Sequence, residues 1–416
     1  MKRIAVVGGG AIGLSTAWHL SKKGAHPVII DAGAIGDGCS KGNAGWICPT
    51  LSAPLPSPAL DSRSLLDMLR PGSPLYVKPS AVPSLRPWLK RFRSHCREAD
   101  YRHGLEALAS LNAHTFRLIR EWEEEGLDVD VRYQGLLMVF RDPEKVASAE
   151  AEVRDTAELV GTGYRRLEAD EITEMEPCLN PRIGAGLLLE GEAHARPERL
   201  LKALREDLAK RDVEMRENEP VTGMRWSGSG ATAVETARST ILVDGVVFAA
   251  GAETGSLAAM CDWSLPMTAG KGYSVTFTTD GPIPRRPLYL GEAKVGITPF
   301  GRGLRAAGTM ELSGVNRDLD SRRLRSVRKA VGRYLTVGLD ETTLESGGSE
   351  WVGMRPMVPD TLPVMGRVPG KENVYVSTGH QMLGITLSAT SGWALAGLIL
   401  DGEAPVDLTP FSPARF

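Results

Sequence analysis

One cluster, Gly8-Gly9-Gly10-Ala11-Ile12-Gly13, constrains what this chain can fold into more than any other feature, because of what flanks it. Ahead of it runs Ile4–Val7, four apolar residues that read as a strand; behind it, helical spacing extends from about 11 to 23 with Gly24 as the stop, and Val28–Ile30 reads as a second strand. Strand, G-x-G-x-x-G turn, helix and strand in that order make a βαβ unit suited to a dinucleotide. Gly8 permits the tight turn, Gly10 lets backbone amides approach a diphosphate, with Ala11 and Ile12 opening the helix, and Gly13 allows the helix to pack on the strand. The helix N-terminus adds partial positive charge. Asp31, with Ala32 beside it, ends the second strand eighteen residues after Gly13, where a carboxylate accepts the hydroxyl hydrogens of an adenosine ribose.

A second stretch separates FAD from NAD. Gly36-Asp37-Gly38-Cys39-Ser40-Lys41-Gly42-Asn43-Ala44-Gly45 is small and polar and suits a backbone passing close to a second phosphate and an isoalloxazine; Ser40, Asn43, Ala44 and Gly45 are its candidate contacts. The buried run Val246–Phe248 ends in Ala249-Ala250-Gly251, an A-x-G turn of the kind that lies against a nucleotide. The rest of the composition narrows the partners. Forty-nine basic and fifty-one acidic residues leave a formal charge of −2, which does not favour nucleic acid. Five scattered cysteines without C-x-x-C spacing signal neither a disulfide framework nor a metal site, and fit a reducing, cytoplasmic compartment. The apolar run after Met1-Lys2-Arg3 is too short for a signal peptide, and no apolar stretch is long enough for a membrane-spanning helix.

Between Pro49 and Pro87 nine prolines fall in 39 residues, so this segment is expected to be extended loop with one helical piece near Ser64–Leu69, covering a site. Residues 100–126 and 143–160 read as helices, Leu136–Phe140 as a strand, and Pro197–Leu208 as an amphipathic helix with Pro197 in its first turn. The acidic run Glu121–Glu125 reads as a solvated face. Short β segments from Val221 to Val243 suggest a meander, further strands lie between Gly272 and Met310, and two helices follow at about 320–336 and 387–400.

Taken together, these residues resemble the D-amino-acid oxidase superfamily of FAD-dependent amine oxidoreductases and, within it, the small subunits of bacterial D-amino-acid dehydrogenases. The resemblance runs nearly end to end. It rests on the N-terminal glycine fingerprint, on Ser40 with Asn43-Ala44-Gly45, on Ser73-Pro74-Leu75 with Trp88-Leu89, and on Lys271-Gly272-Tyr273-Ser274. It closes with Gly353-Met354-Arg355-Pro356-Met357-Val358-Pro359-Asp360 and Thr378-Gly379-His380-Gln381-Met382-Leu383-Gly384-Ile385-Thr386-Leu387. The resemblance implies Arg355 as the grip on a substrate carboxylate, Tyr273 as a hydroxyl on the same carboxylate, and His380 as a residue lining the flavin loop. It also implies cofactor contacts from Gly353, Gly379, His380, Met382, Leu383, Gly384, Ile385 and Thr386, and adenine contact through the backbone of Val221. Noncovalent FAD is expected, since members that tether the flavin use a cysteine near the C-terminus and none follows Cys261. Sarcosine-oxidase-like relatives place an oxygen-activating lysine two residues before a strand glycine; aligned through Gly308 that position is Ala306, which favours a dehydrogenase.

The expected architecture is α/β, α+β overall: a discontinuous Rossmann-like FAD domain (1–86, 145–262 and 337–416) and a mostly antiparallel substrate domain (87–144 and 263–336) that roofs the flavin. The expected activity is oxidative deamination of a D-amino acid, D-proline or a hydroxyproline included, by hydride transfer from the α-carbon to flavin N5. Electrons then pass to a quinone or another carrier, with no metal involved. The alternatives are a glycine- or sarcosine-type oxidase producing hydrogen peroxide and an FAD-binding subunit of a heteromeric dehydrogenase. Oligomeric state is left open. The basic helix at about 320–336, with Leu324, Val327, Val331 and Leu335, is the candidate for peripheral contact with the inner membrane face.

Overall fold

The computed structural model describes residues 1–60, 68–70 and 73–416; most of the helical piece expected at Ser64–Leu69 lies outside them. A six-stranded sheet forms the nucleotide lobe, in the order Glu214–Arg216, His26–Ile30, Arg3–Val7, Gly245–Phe248, Val374–Thr378 and Val364–Arg367. The first five strands are parallel and the last is antiparallel. The apolar runs of the four parallel strands inside the edge strand Glu214–Arg216 are buried on both faces, as a parallel sheet covered on each side requires. Helix Ala11–Lys22 packs against the almost wholly apolar helix Ser388–Leu400, so closely that a Cβ at Gly392 would lie 2.4 Å from Ser15 Oγ. The meander Val221–Ser227, Gly230–Thr236 and Thr240–Leu242 forms as expected.

The second lobe is a nine-stranded, mostly antiparallel sheet running from Ser349–Met357 through Thr268–Thr278, Gly303–Leu312, Val295–Phe300, Leu288–Leu290, Leu136–Phe140 and Ala185–Leu189 to Tyr164–Glu168, with Leu75–Val77 paired to Gly303–Leu312. Two lobes of the expected kinds are therefore present, but the expected boundaries need correction. Residues 145–189, 349–357 and 75–77, placed in the FAD domain from sequence, belong with the second sheet. Helices Glu98–Asn112 and Thr115–Glu124, placed in the substrate domain, pack instead on the nucleotide lobe, where Leu118, Ile119 and Trp122 join Trp18 and Leu395 in one core.

Two further readings change. The proline-rich segment ends in a helix, Val82–Ser94, that contains Pro87. Pro83 falls in its first turn, where an amide has no partner to lose. Burial of Leu85, Trp88 and Phe92 against Val77, Met310 and Met357 offsets the bond lost at Pro87. In the basic helix Ser321–Tyr334 the apolar stripe Leu324, Val327, Val331 and Tyr334 is buried against the second sheet, and Arg323 and Arg328 are buried with it. Of its basic residues only Arg322, Arg325, Lys329 and Arg333 reach solvent, so the helix keeps a charged face and has no apolar stripe to insert into a bilayer. Among the described residues no helix is long and apolar enough to cross a membrane.

Candidate active site

The glycine turn is built as its spacing demands. Gly8 has φ +111°, and a Cβ there would lie 2.4 Å from Ala249 O, which sets the turn directly against Ala249-Ala250-Gly251. Ala250 and Val221 both pack on the same core of the nucleotide lobe. A Cβ at Gly13 would lie 1.8 Å from Gly8 O, so only glycine lets the helix approach this closely. Gly10 is different: the nearest atom to a Cβ there is Ser40 Oγ at 3.4 Å, so the space above it is open. Ala11 N donates to Ser40 Oγ at 3.1 Å, while the amides of Ile12 and Gly13 meet no acceptor among the described residues. Asp31 is aimed by two amides, Gly9 N to Oδ2 at 2.7 Å and Gly33 N to Oδ1 at 2.8 Å. A carboxylate so held keeps lone pairs for ribose hydroxyls, with exposed Ala32 alongside.

Three more segments converge on this turn. Gly45, at φ +78°, follows Asn43, whose Oδ1 accepts from Gly45 N at 2.7 Å. Thr386 Oγ1 donates to Trp46 O at 3.2 Å and accepts from Cys48 N at 3.3 Å, joining the 40–48 segment to the loop before the last helix. Thr378 Oγ1 donates to Gly251 O at 2.9 Å, which brings Gly379 beside the A-x-G turn. Within that loop Met382 is exposed, a Cβ at Gly384 would meet nothing within 4 Å, and Leu383 and Ile385 are buried anchors. Free first-turn amides, an open Gly10 and an aimed carboxylate fit a dinucleotide cofactor.

The second sheet faces this assembly with Gly270, Gly272 and Ser274 on one strand and Trp351, Gly353 and Arg355 on its neighbour. The Arg355 guanidinium lies over Gly272, where a Cβ would come within 2.3 Å of Cζ, and its Nη1 donates to Thr309 O at 2.9 Å. That carbonyl is aimed by a bulge. Thr309 and Met310 together oppose Gly272, and Thr309 takes φ +60°, a costly conformation for a β-branched residue. Among the described residues no carboxylate pairs with Arg355, and burial lowers its pKa from the ordinary arginine value. Cys39 stands nearby, its thiol pushed up to about 11 by burial. Gln381 N donates to Pro356 O at 3.1 Å, tying the Arg355 strand to the loop of Gly379–Gly384. Gly353 is covered by the Trp351 indole, which also lies on Gly42; a Cβ at either glycine would come within about 2 Å of the ring.

Three sequence-derived roles fail here. Tyr273 points to the opposite face of the sheet, is 1% exposed, and donates to Glu311 Oε2 at 2.8 Å, so it cannot touch a carboxylate at Arg355. The strand alternation carries that signal: small Gly270, Gly272 and Ser274 face one way, Tyr273, Val275 and Phe277 the other. His380 is buried, its Nε2 is 2.9 Å from Ser391 Oγ, and burial lowers its pKa to about 3. Burial keeps the imidazole neutral, and its Nδ1 has no partner among the described residues. Ala306 lies on the helix-covered face, in the core with Tyr273, so the oxygen-activation argument drawn from it falls away; the other face of this strand carries Ala307, opposite Ser274, and Arg305, for which the sequence assigns no role and which reaches the 40–48 segment, the candidate cofactor loop.

Burial of His380 has a pH consequence. Its folded pKa of about 3 lies below the unfolded 6.5, so the unfolded state binds the extra proton and stability declines as pH falls from 6.5 towards 3. His380→Gln is expected to make that acid limb shallower in thermal melts between pH 7 and 5, leaving the parts that His19 and His194 contribute, whose pKa values burial lowers to about 3 and about 4; an unchanged pH dependence would contradict a buried neutral imidazole.

A nucleotide lobe with its phosphate turn open, roofed by a sheet that offers a guanidinium without a carboxylate partner among the described residues, is the layout of a dinucleotide-dependent oxidoreductase. Comparison with known families makes it specific: the description of the FAD dependent oxidoreductases (DAO) matches residues 3–398, and the chain belongs to that family. Its cofactor is FAD. The chain is 32% identical over 428 residues to a D-amino acid dehydrogenase of Xanthobacter autotrophicus and 29% identical over 425 residues to one of Neisseria meningitidis, each alignment covering 100% of this chain and 99% of the relative. Among solved structures, glycine oxidase from Geobacillus kaustophilus superposes with a TM-score of 0.76 at 23% identity, covering 100% of both chains. L-proline dehydrogenase from P. horikoshii gives 0.75 at 18%, covering 100% of this chain and 97% of the other. At those identities the structural likeness speaks for the fold.

Proposed function

We propose that this chain is an FAD-dependent D-amino-acid dehydrogenase that oxidises its substrate, D-proline and hydroxyprolines included, to the imino acid and passes the electrons to a carrier other than oxygen. The observation that carries this reading is the Arg355 guanidinium, without a carboxylate partner among the described residues, on the sheet face turned towards the cofactor loop. Full-length similarity to D-amino acid dehydrogenases supports the substrate class. The Gly8–Gly13 turn and Asp31 would hold FAD, which when bound would supply the acceptor for a hydride from Cα.

The protein's own part is binding and orientation. Arg355, with Nη1 committed to Thr309 O, has its remaining N–H groups for a bidentate grip on the substrate carboxylate, and glycine at 272 lets the fork lie flat. That grip fixes Cα relative to the cofactor loop, which converts an encounter into an oriented approach. Tyr273 is turned to Glu311 on the opposite face and His380 Nε2 to Ser391, so neither is assigned as a base for the amine, whose proton passes to solvent.

Anaerobic addition of D- and L-amino acids, prolines and N-methylglycines to the purified holoenzyme tests the substrate class by flavin bleaching. D-amino acids are expected to bleach it and artificial electron acceptors to sustain turnover. Full turnover with O2 and stoichiometric peroxide, with none through artificial acceptors, would reassign the chain as an oxidase.

A further inference from the structure

Four consecutive carbonyls in the cofactor loop, those of Lys41, Gly42, Asn43 and Ala44, are each taken by a side chain of the second sheet. Arg305 Nη1 donates to Lys41 O at 3.1 Å and to Asn43 O at 2.9 Å. Ser274 Oγ donates to Gly42 O at 3.1 Å, and Thr298 Oγ1 to Ala44 O at 2.7 Å. The donors stand on three neighbouring strands. Arg305 is 5% exposed and engaged through all three nitrogens: besides the Nη1 bonds, Nε donates to Thr276 Oγ1 at 3.0 Å, and Nη2 to Glu198 in the first turn of helix Pro197–Lys210.

Peptide geometry makes one of these donors special. In a trans peptide the C=O and the N–H of the next residue point in opposite directions. Holding Lys41 O therefore turns the Gly42 amide away from the sheet, and holding Asn43 O does the same for Ala44. These two amides have no acceptor among the described residues, whereas the amides paired with the other two carbonyls are already used: Asn43 N donates to Ser40 O at 3.3 Å and Gly45 N to Asn43 Oδ1 at 2.7 Å. One buried guanidinium thus holds the two peptides whose N–H groups are free, on the loop that begins at Ser40 beside the phosphate turn.

We infer that Arg305 is a positioning residue of the holoenzyme, one that aims the Gly42 and Ala44 amides at hydrogen-bond acceptors of the bound FAD. The second lobe then completes the cofactor site as well as carrying Arg355. Amides directed at the flavin stabilise the negative charge that reduction places on it, so the effect reaches the potential as well as the affinity.

The test compares Arg305→Gln, Arg305→Lys and Ser274→Ala in the purified holoenzyme by FAD dissociation constant, visible absorption and circular dichroism of the flavin, and midpoint potential. Arg305→Gln is expected to weaken FAD about tenfold or more, to shift the flavin bands and to lower the potential. Arg305→Lys recovers part of this, since an ammonium reaches the carbonyls as a single point. Ser274→Ala, which frees a peptide whose N–H is already used, is expected to move neither the bands nor the potential. Unchanged affinity, bands and potential in Arg305→Gln would overturn the inference, and so would equal shifts in Ser274→Ala, which would mark general loosening of the loop. If Arg305→Gln does not fold, the Arg305→Lys protein decides by the same criteria: wild-type bands and potential overturn the inference, intermediate shifts uphold it.

Discussion

Arg355→Leu is expected to lower kcat/KM for the amino-acid substrate by about a thousandfold or more while FAD stays bound and the melting temperature changes by only a few degrees. The guanidinium has no carboxylate partner among the described residues, so its removal strands no buried charge; the folded state loses one bond, to Thr309 O. The substrate loses its only identified countercharge. Arg355→Lys should fare little better, since a point ammonium cannot reproduce a planar fork lying on Gly272. Rapid-mixing reduction of the flavin under anaerobic conditions measures the effect. Reduction at the wild-type rate in either variant would remove Arg355 from the site and favour an FAD-binding subunit whose substrate is handled elsewhere.

Local periodicity makes part of this arrangement readable in advance. The run Ile4–Val7, the glycine spacing and Asp31 identify the phosphate turn because each meets a backbone demand that few residues satisfy: Gly8 at positive φ, Gly13 within van der Waals reach of Gly8 O. The second lobe is far less legible. Its sheet collects strands from residues 75 to 357, and nothing in Tyr164–Glu168 or Ser349–Met357 alone says which sheet it joins, since strand partners are chosen by long-range packing. Motif neighbourhood points to Tyr273 as a substrate contact, yet its facing is written in the alternation of small and large residues around it. Arg305 escapes notice because a lone arginine in a strand looks like a solvated edge; only the fold reveals two carbonyls from a loop more than 260 residues away in sequence at its tip. His380 misleads for the opposite reason, as a chemically able side chain that the packing of Ser391 turns inward.

The glycines of the phosphate turn divide into two kinds, and substitution separates them. Gly13→Ala puts a Cβ 1.8 Å from a backbone oxygen that cannot rotate aside, so the helix must lift from the strand. Loss of helix packing and of the amide cradle should come together, with stability falling by about 3 kcal/mol and FAD no longer retained. Gly10→Ala meets only Ser40 Oγ, at ordinary contact distance. The apoprotein is expected to lose no more than about 1 kcal/mol, the difference between glycine and alanine at a helix N-cap. Its methyl group, however, stands where a diphosphate would approach the free Ile12 and Gly13 amides, and FAD affinity should drop about a hundredfold. Thermal melts of the two apoproteins, followed by titration with FAD, check both halves. A Gly10→Ala protein that binds FAD as tightly as the wild type would show that the diphosphate does not pass over this turn, and with it the placement of the cofactor on the first βαβ unit would fail.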